Sequence, residues 1–426
     1  MGKASIVYVI GLSVMLGYSM FNISATSTSS MDNYTAYYGR SMAHDIAITG
    51  ANIGTQLLMK DPLYNTSLMN QHYAGGTFDM YVIKPGGDSA WVKVYSTIDV
   101  SAETIRDTVI ACLRFTSFAK YGWFTEAEKN GYVGCPYYGA SDWKITGDSV
   151  FGYAHTNWKF NLGGTPFFND KVTATNSPTL MKVNGVQAPV FKSGYQWGIT
   201  VTRPPTSMTK FLNTASGGGK LFTAQDVALT FMDEWVNVKI PPATGTLRND
   251  TVKISDLAPN GVIAVKNGDL RIKGRYEGAI TVGAINDATA PGKGNVWIDG
   301  NGVIANNNPY TDPASGDMLG IVANNSVYIT KDLSRNPSSV VNIQAAVYCQ
   351  NGELTAQDFW TIGKSGRVNL FGGVCQATAG SLGVFDSGGL KNGFYYTIRH
   401  DTRFNYSSPP AYPISNKYEL VSWWEN

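Results

Sequence analysis

The sequence predicts a mainly β protein with a long N-terminal α-helix, a small α/β head on that helix, and a right-handed parallel β-helix-like stack after it. Three observations predict this. No charge occurs from Ala4 to Met31, and a helical pattern continues to Lys60. From about Val252 onward, strand-like pieces of mostly five to eight residues alternate with Asn/Gly/Asp turns.

The helix comes first. Ala4 to Ile23 are twenty uncharged residues, which at about 1.5 Å per residue span roughly the 30 Å of a bilayer core. Lys3 and the α-amine precede the run, the charge placement of an N-terminus left in the cytoplasm with the rest outside. A secretory signal cut near Ser24-Ala25 and a plain signal anchor are the competing readings. The residues after Met31 favour a longer helix. Tyr34, Tyr38, Met42, Ile46, Ile53 and Leu57 recur at helical spacing as one expected buried stripe, until Asp61-Pro62 stops the pattern. Gly50 and Gly54 each weaken a helix by about 1 kcal/mol relative to Ala, so a bend is expected there. Ser13 and Gly17, four apart, suit close approach of another helix.

Composition places the remainder outside the cytoplasm. Charged residues are 15% of 426, against about a quarter in ordinary soluble proteins, while glycines number 46 and tyrosines 24. A net charge of +2 without a basic tract sets nucleic acid aside as a partner. The four cysteines form no C-x-x-C and no Cys/His cluster, so neither zinc nor haem is expected. Sequence-local pairing would join Cys112 to Cys135 and Cys349 to Cys375, each worth about 3 kcal/mol. Four buried free thiols are the alternative.

Residues 73–115 read as a hairpin, Thr77–Ile83 and Trp91–Ile98 about Pro85-Gly86-Gly87-Asp88. A short helix opening at Ser101 comes next, and then a strand over Thr108–Leu113. His155 with Asn157, and His400 with Asp401 and Arg403, are the polar clusters that contain histidine. Catalysis would need a Ser or Cys in reach of such a histidine. No G-x-S-x-G occurs, and local hydrogen bonding at strand ends explains both clusters. Ser216-Gly217-Gly218-Gly219-Lys220 lacks P-loop spacing and reads as a loop. No catalytic residue, cofactor or metal is therefore expected.

The β-helix rests on the pieces Gly261–Lys266, Asp269–Lys273, Ala279–Ala284, Asn295–Asp299, Leu319–Ala323, Ser326–Thr330, Val340–Tyr348 and Val368–Cys375. Val341–Cys349 and Val368–Cys375 are near-repeats, which favours stacked rungs over a Greek-key sandwich. Many β-helices cut or bind polysaccharides. Asp299, Asp312 and Asp317 are candidate Ca²⁺ ligands for such chemistry, but their Asp-Gly, Asp-Pro and Gly-Asp settings read as turns. Exposed tryptophans can stack on sugars, leaving a surface polysaccharide as a further partner.

Lys3 to Leu58 resembles the start of a minor pilin of the PilX type. In that family the membrane helix runs into a stretch like Asn33-Tyr34-Thr35-Ala36-Tyr37-Tyr38, then into residues like Ala47-Ile48-Thr49-Gly50-Ala51-Asn52. The resemblance implies processing at Gly2 and Lys3, with Ala4, Val7, Gly11, Ser13, Gly17, Tyr34, Tyr38, Met42 and Ile46 as anchor and assembly residues. Val7 stands where the family's assembly Glu is expected, a departure found in minor rather than principal subunits. Gly152-x-x-His155-Thr156-Asn157, Gly164-x-Pro166-x-Phe168, His400-Asp401-Thr402-Arg403 and Pro409-Pro410 are similar to motifs of uncharacterised bacterial envelope proteins with pilin-like N-termini. The resemblance implies a non-catalytic subunit of a type IV pilus or pseudopilus. It would be held in the inner membrane before assembly and would contact other pilin subunits through its first helix. The expected layout is a leader (1–3), a membrane helix (4–23), its amphipathic continuation (24–60), an α+β head (61–160), an irregular connection (161–250), the β-helix (251–390) and a cap (391–426).

Overall fold

One uninterrupted helix, α1 (Gly2–Lys60), opens the chain. The computed structural model describes residues 2–85, 88–101, 103–241, 248–386 and 389–425. The chain divides into two units, 1–116 with 416–426, and 117–415. The expected boundaries at 160, 250 and 390 are therefore not where the chain divides. The second unit begins at Ser117, well before 251, and is inserted between the fourth strand of the first unit and that unit's last strand.

In the first unit, α1 packs on a sheet of β1 (Leu68–Tyr73), β2 (Gly76–Ile83), β3 (Ser89–Val100), β4 (Glu103–Ser117) and the C-terminal strand (Ile414–Glu425), in that order, with β1 to β4 antiparallel. Period-2 alternation turns Phe78, Met80 and Val82 of β2, Val92 and Val94 of β3, and Val109, Ala111 and Leu113 of β4 inward. Val100 pairs with Glu103, so Ser101 (φ 49°) starts a tight hairpin turn instead of the expected helix. Ala102, Gly86 and Gly87 lie outside the described residues.

The face of α1 that meets the sheet differs from the expected stripe. Tyr34, Tyr38 and Ile53 are 69%, 50% and 38% exposed, and Met42 and Leu57 only flank the core. Of the expected stripe only Ile46 is fully buried. The buried face runs through Gly39, Ala43, Ile46, Ala47, Gly50, Ala51, Gly54 and Leu58. Small size is what selects it. A Cβ on Gly50 would stand 2.8 Å from Phe78 and Val94, and one on Gly54 would stand 2.5 Å from Val92. The two glycines let the sheet reach the helix backbone, and α1 runs through both as a single element. Ser96 of β3 adds a buried hydrogen bond to the Ala43 carbonyl at 2.6 Å.

The second unit is a parallel β-helix whose coils stack out of chain order. On one face ten strands follow one another in parallel register. They are Lys220–Thr223, Val262–Lys266, Ala279–Ile285, Met318–Ala323, Val340–Cys349, Lys364–Thr378, Tyr121–Ala127, Tyr153–Thr156, Val172–Ala174 and Tyr195–Trp197. A second face stacks Val296–Ala305, Val327–Ile329 and Leu354–Ala356. The third carries Val340–Cys349, Lys364–Thr378, Gly389–His400, Ser149–Phe151, Phe167–Phe168 and Val190–Phe191. The interior is the aliphatic column expected of stacked rungs, including Ile272, Ile298, Ile321, Ile343 and Leu370.

This order means that the chain enters the stack in the middle. It winds to one end by Trp197, crosses to the other end, and winds back from Lys220 until Val374 meets Trp123. The crossing covers nine inter-strand steps, roughly 43 Å at about 4.8 Å each. Residues 198–208, an extended strap, make it together with the short helix Thr209–Ser216. Met208, Phe211 and Ala215 cover outward-facing Val262, Ala264, Ile285 and Val322.

Candidate functional site

The first half of α1 is chemically unlike the rest of the chain. Its side chains from Ser5 to Tyr34 are all exposed, and the helix is long and apolar enough to cross a membrane, with none of its apolar window buried. Val7 is 71% exposed, and nothing lies within 4 Å of a Cβ built on Gly11 or Gly17. Ser13 is exposed beside them. The side chains of Gly2, Lys3 and Ala4 lie outside the described residues. Burial begins at Gly39, so the helix passes from an apolar, exposed half to a half fixed on the sheet. At that transition His44 bonds Asp107 through Nδ1 at 2.6 Å and faces Glu425 through Nε2 at 3.4 Å.

Both histidine clusters lie where the last coil meets the first. His155 is buried, with Nδ1 at 2.9 Å from Thr173 Oγ1 and Nε2 at 2.9 Å from Asn157 Oδ1. Asn157 then holds the strap, donating to the Thr202 carbonyl at 2.6 Å and accepting from the Thr202 N–H at 2.9 Å. Farther along, Tyr348 and Gln350 donate to the carbonyls of Pro205 and Thr206. His400 lies over Gly152, where a Cβ would come 2.3 Å from the His400 Cβ, and Gly152 holds φ at +116°. Only glycine meets both demands. Asp401 caps the 3₁₀ turn Thr402–Asn405 and pairs with Arg403, which donates to the Ser315 carbonyl. Burial lowers the pKa of both His155 and His400, keeping both imidazoles neutral at pH 7.

The same junction holds most of the buried charge. Lys144 is packed over the Trp123 ring at 4.0 Å, contacts Asp142, and lies 3.8 Å from Glu128. Burial raises the pKa of Glu128 despite Lys144, while for Lys144 the neighbouring carboxylates, Asp142 first, outweigh burial and raise it. Burial pushes Asp148 up to about 6. Glu353 reaches across the junction to accept from the Gly131 N–H at 2.6 Å and from Thr378 at 3.0 Å. Burial outweighs these bonds and pushes its carboxyl up to about 7. Neither Glu353 nor Lys144 stands out in the sequence, because their partners are remote along the chain or hidden within one coil.

The expected disulfides do not form, and all four cysteines are buried free thiols. Val341 pairs with Val368, an offset of 27, whereas the cysteines are 26 apart, so Cys349 aligns with Gln376. A one-residue offset reverses the side chain. Cys349 accordingly faces the interior, and Cys375 the outer cluster with Phe124 and Tyr412. Cys112 and Cys135 belong to different units. Asp299 pairs with Arg271, while Asp312 and Asp317 accept from neighbouring backbone N–H groups. Among the described residues no group of three or more His, Cys, Asp or Glu is arranged to hold a metal.

No protein-family model and no curated protein sequence matches the chain. Among solved structures the chain is similar to the competence-associated pilin ComZ from Thermus thermophilus, aligned over 91% of this chain and 98% of that one, at 12% identity and a TM-score of 0.36.

Proposed function

We propose that the chain is a minor, non-catalytic subunit of a type IV pilus or related pseudopilus. Before assembly the apolar half of α1 holds it in the inner membrane with both units outside. In the filament the same surface packs against the helices of other subunits. The observation that carries this reading is the change of environment along one helix: uncharged and exposed from Ser5 to Met31, then bound to a sheet from Gly39. A stationary anchor accounts for the first half equally well. The small exposed positions Gly11, Ser13 and Gly17 favour helix packing.

Gly17→Leu in the full chain tests the distinction. It keeps the helix apolar, so membrane retention should persist while recovery in sheared filaments falls. Equal recovery of both proteins in filaments, or absence of the native chain from them, would count against the proposal.

A further inference from the structure

The third face of the β-helix carries an open groove of 460 Å³, walled on one side by Tyr310 and floored by three neighbouring strands. Asn342, Asn369 and Thr397 stand in register across those strands as a polar row. Asn369 donates to Asn342 at 3.3 Å. The row is therefore a ladder of amides and a hydroxyl at about 4.8 Å spacing.

An arginine stands on either side of it. Arg367 lies two residues before Asn369, and Arg399 two residues after Thr397. Neither has a carboxylate within ion-pair distance among the described residues. Four other arginines, Arg248, Arg271, Arg275 and Arg403, each pair with an aspartate. Neutral partners hold both groove arginines. Arg367 donates to Thr397 at 2.9 Å and stacks on Tyr395, while Arg399 donates to the Tyr310 hydroxyl at 2.7 Å and lies over Phe151. Among the described residues no Asp or Glu lines the groove.

From this geometry we propose that the groove binds a carboxylate-bearing polysaccharide, a uronate polymer. Each guanidinium is already oriented and retains N–H donors in the planar fork that a carboxylate accepts. The amide row offers both donors and acceptors, which suits sugar hydroxyls, and Tyr310 and Phe371 supply ring surface at one end. Arg367 pairs in register with Tyr395, four residues before Arg399, so their backbone positions are about 13 Å apart along the strands. The Arg367 side chain leans inward to Thr397 while Arg399 turns to Tyr310 at the groove wall, and two guanidiniums on separate partners suit anions on successive parts of a polymer rather than one small anion. A nucleic acid strand presents closely spaced phosphates and draws its affinity from many cations. Here there are two.

The test uses the full chain in detergent with oligogalacturonate and oligomannuronate, their methyl esters, and single-stranded DNA of similar length, read by titration calorimetry. At least one uronate oligomer should bind, its methyl ester at least tenfold more weakly. The double variant R367Q/R399Q should lose at least tenfold in affinity with an unchanged melting temperature. The proposal is overturned if neither uronate oligomer binds, if esters bind equally, if the double variant binds as the native chain does, or if DNA binds more tightly with the same arginine dependence.

Discussion

Replacing Glu353 by Gln should stabilise the β-helix above neutral pH and leave it nearly unchanged in acid. Glu353 is fully buried and ties the coil at Leu354 to the loop at Gly131, 222 residues away in the chain. Its carboxyl is pushed from an ordinary 4.5 up to about 7 by burial. A raised carboxyl pKa means that the fold favours the protonated form. This contribution is complete below pH 4.5 and is lost as the pH climbs through 7. Well above both values the ionisation costs about 3 kcal/mol. Between pH 5 and pH 8 the native protein should lose about 2.5 kcal/mol relative to Glu353→Gln, whose amide oxygen still accepts from Gly131 and Thr378. With about 2.1 cal/mol/K of unfolding entropy per residue over a unit of roughly 300 residues, that is a ~4 °C divergence in melting temperature. Thermal unfolding of both proteins followed by far-ultraviolet circular dichroism at pH 5 and pH 8 measures it. Asp148 titrates in both proteins and cancels from the difference. Parallel pH slopes would mean that the Glu353 carboxyl does not change its protonation between pH 5 and pH 8 on unfolding.

The packing leads to two further predictions. Asn157→Ala removes both hydrogen bonds to Thr202 and should cost about 2 kcal/mol. Proteolysis should then begin within 198–208, and unchanged cleavage would show that the strap is held elsewhere. Gly54→Leu drives a side chain into Val92 and Met80 and should cost about 1–3 kcal/mol. Hydrogen exchange in β2 and β3 should speed up in that variant and stay unchanged in Gly17→Leu, where nothing lies within 4 Å.

The rungs between 262 and 375 are legible in the sequence because each is a short aliphatic strand bounded by turn residues. Predicted Ala279–Ala284 and Leu319–Ala323 correspond to observed Ala279–Ile285 and Met318–Ala323. The coils between 121 and 197 are not, because their strands are two to seven residues long and their stacking order breaks with chain order. A sequence can show a period without showing which end joins which. The buried stripe of α1 is hidden because large apolar side chains are the usual signal of a buried face. At this helix–sheet contact close approach decides, so the smallest residues lie inside and the tyrosines outside. The groove of Asn342, Asn369 and Thr397 is hidden for a related reason, since strand register rather than motif brings those residues together.

The most direct test of the central claim is the mature N-terminus and its location, read by mass spectrometry on membrane, medium and sheared-filament fractions. A processed filament subunit begins at or near Lys3 and is recovered in filaments. A chain beginning near Thr26 in the medium would contradict that claim, because the apolar half of α1 would then be a discarded signal and not a surface for assembly.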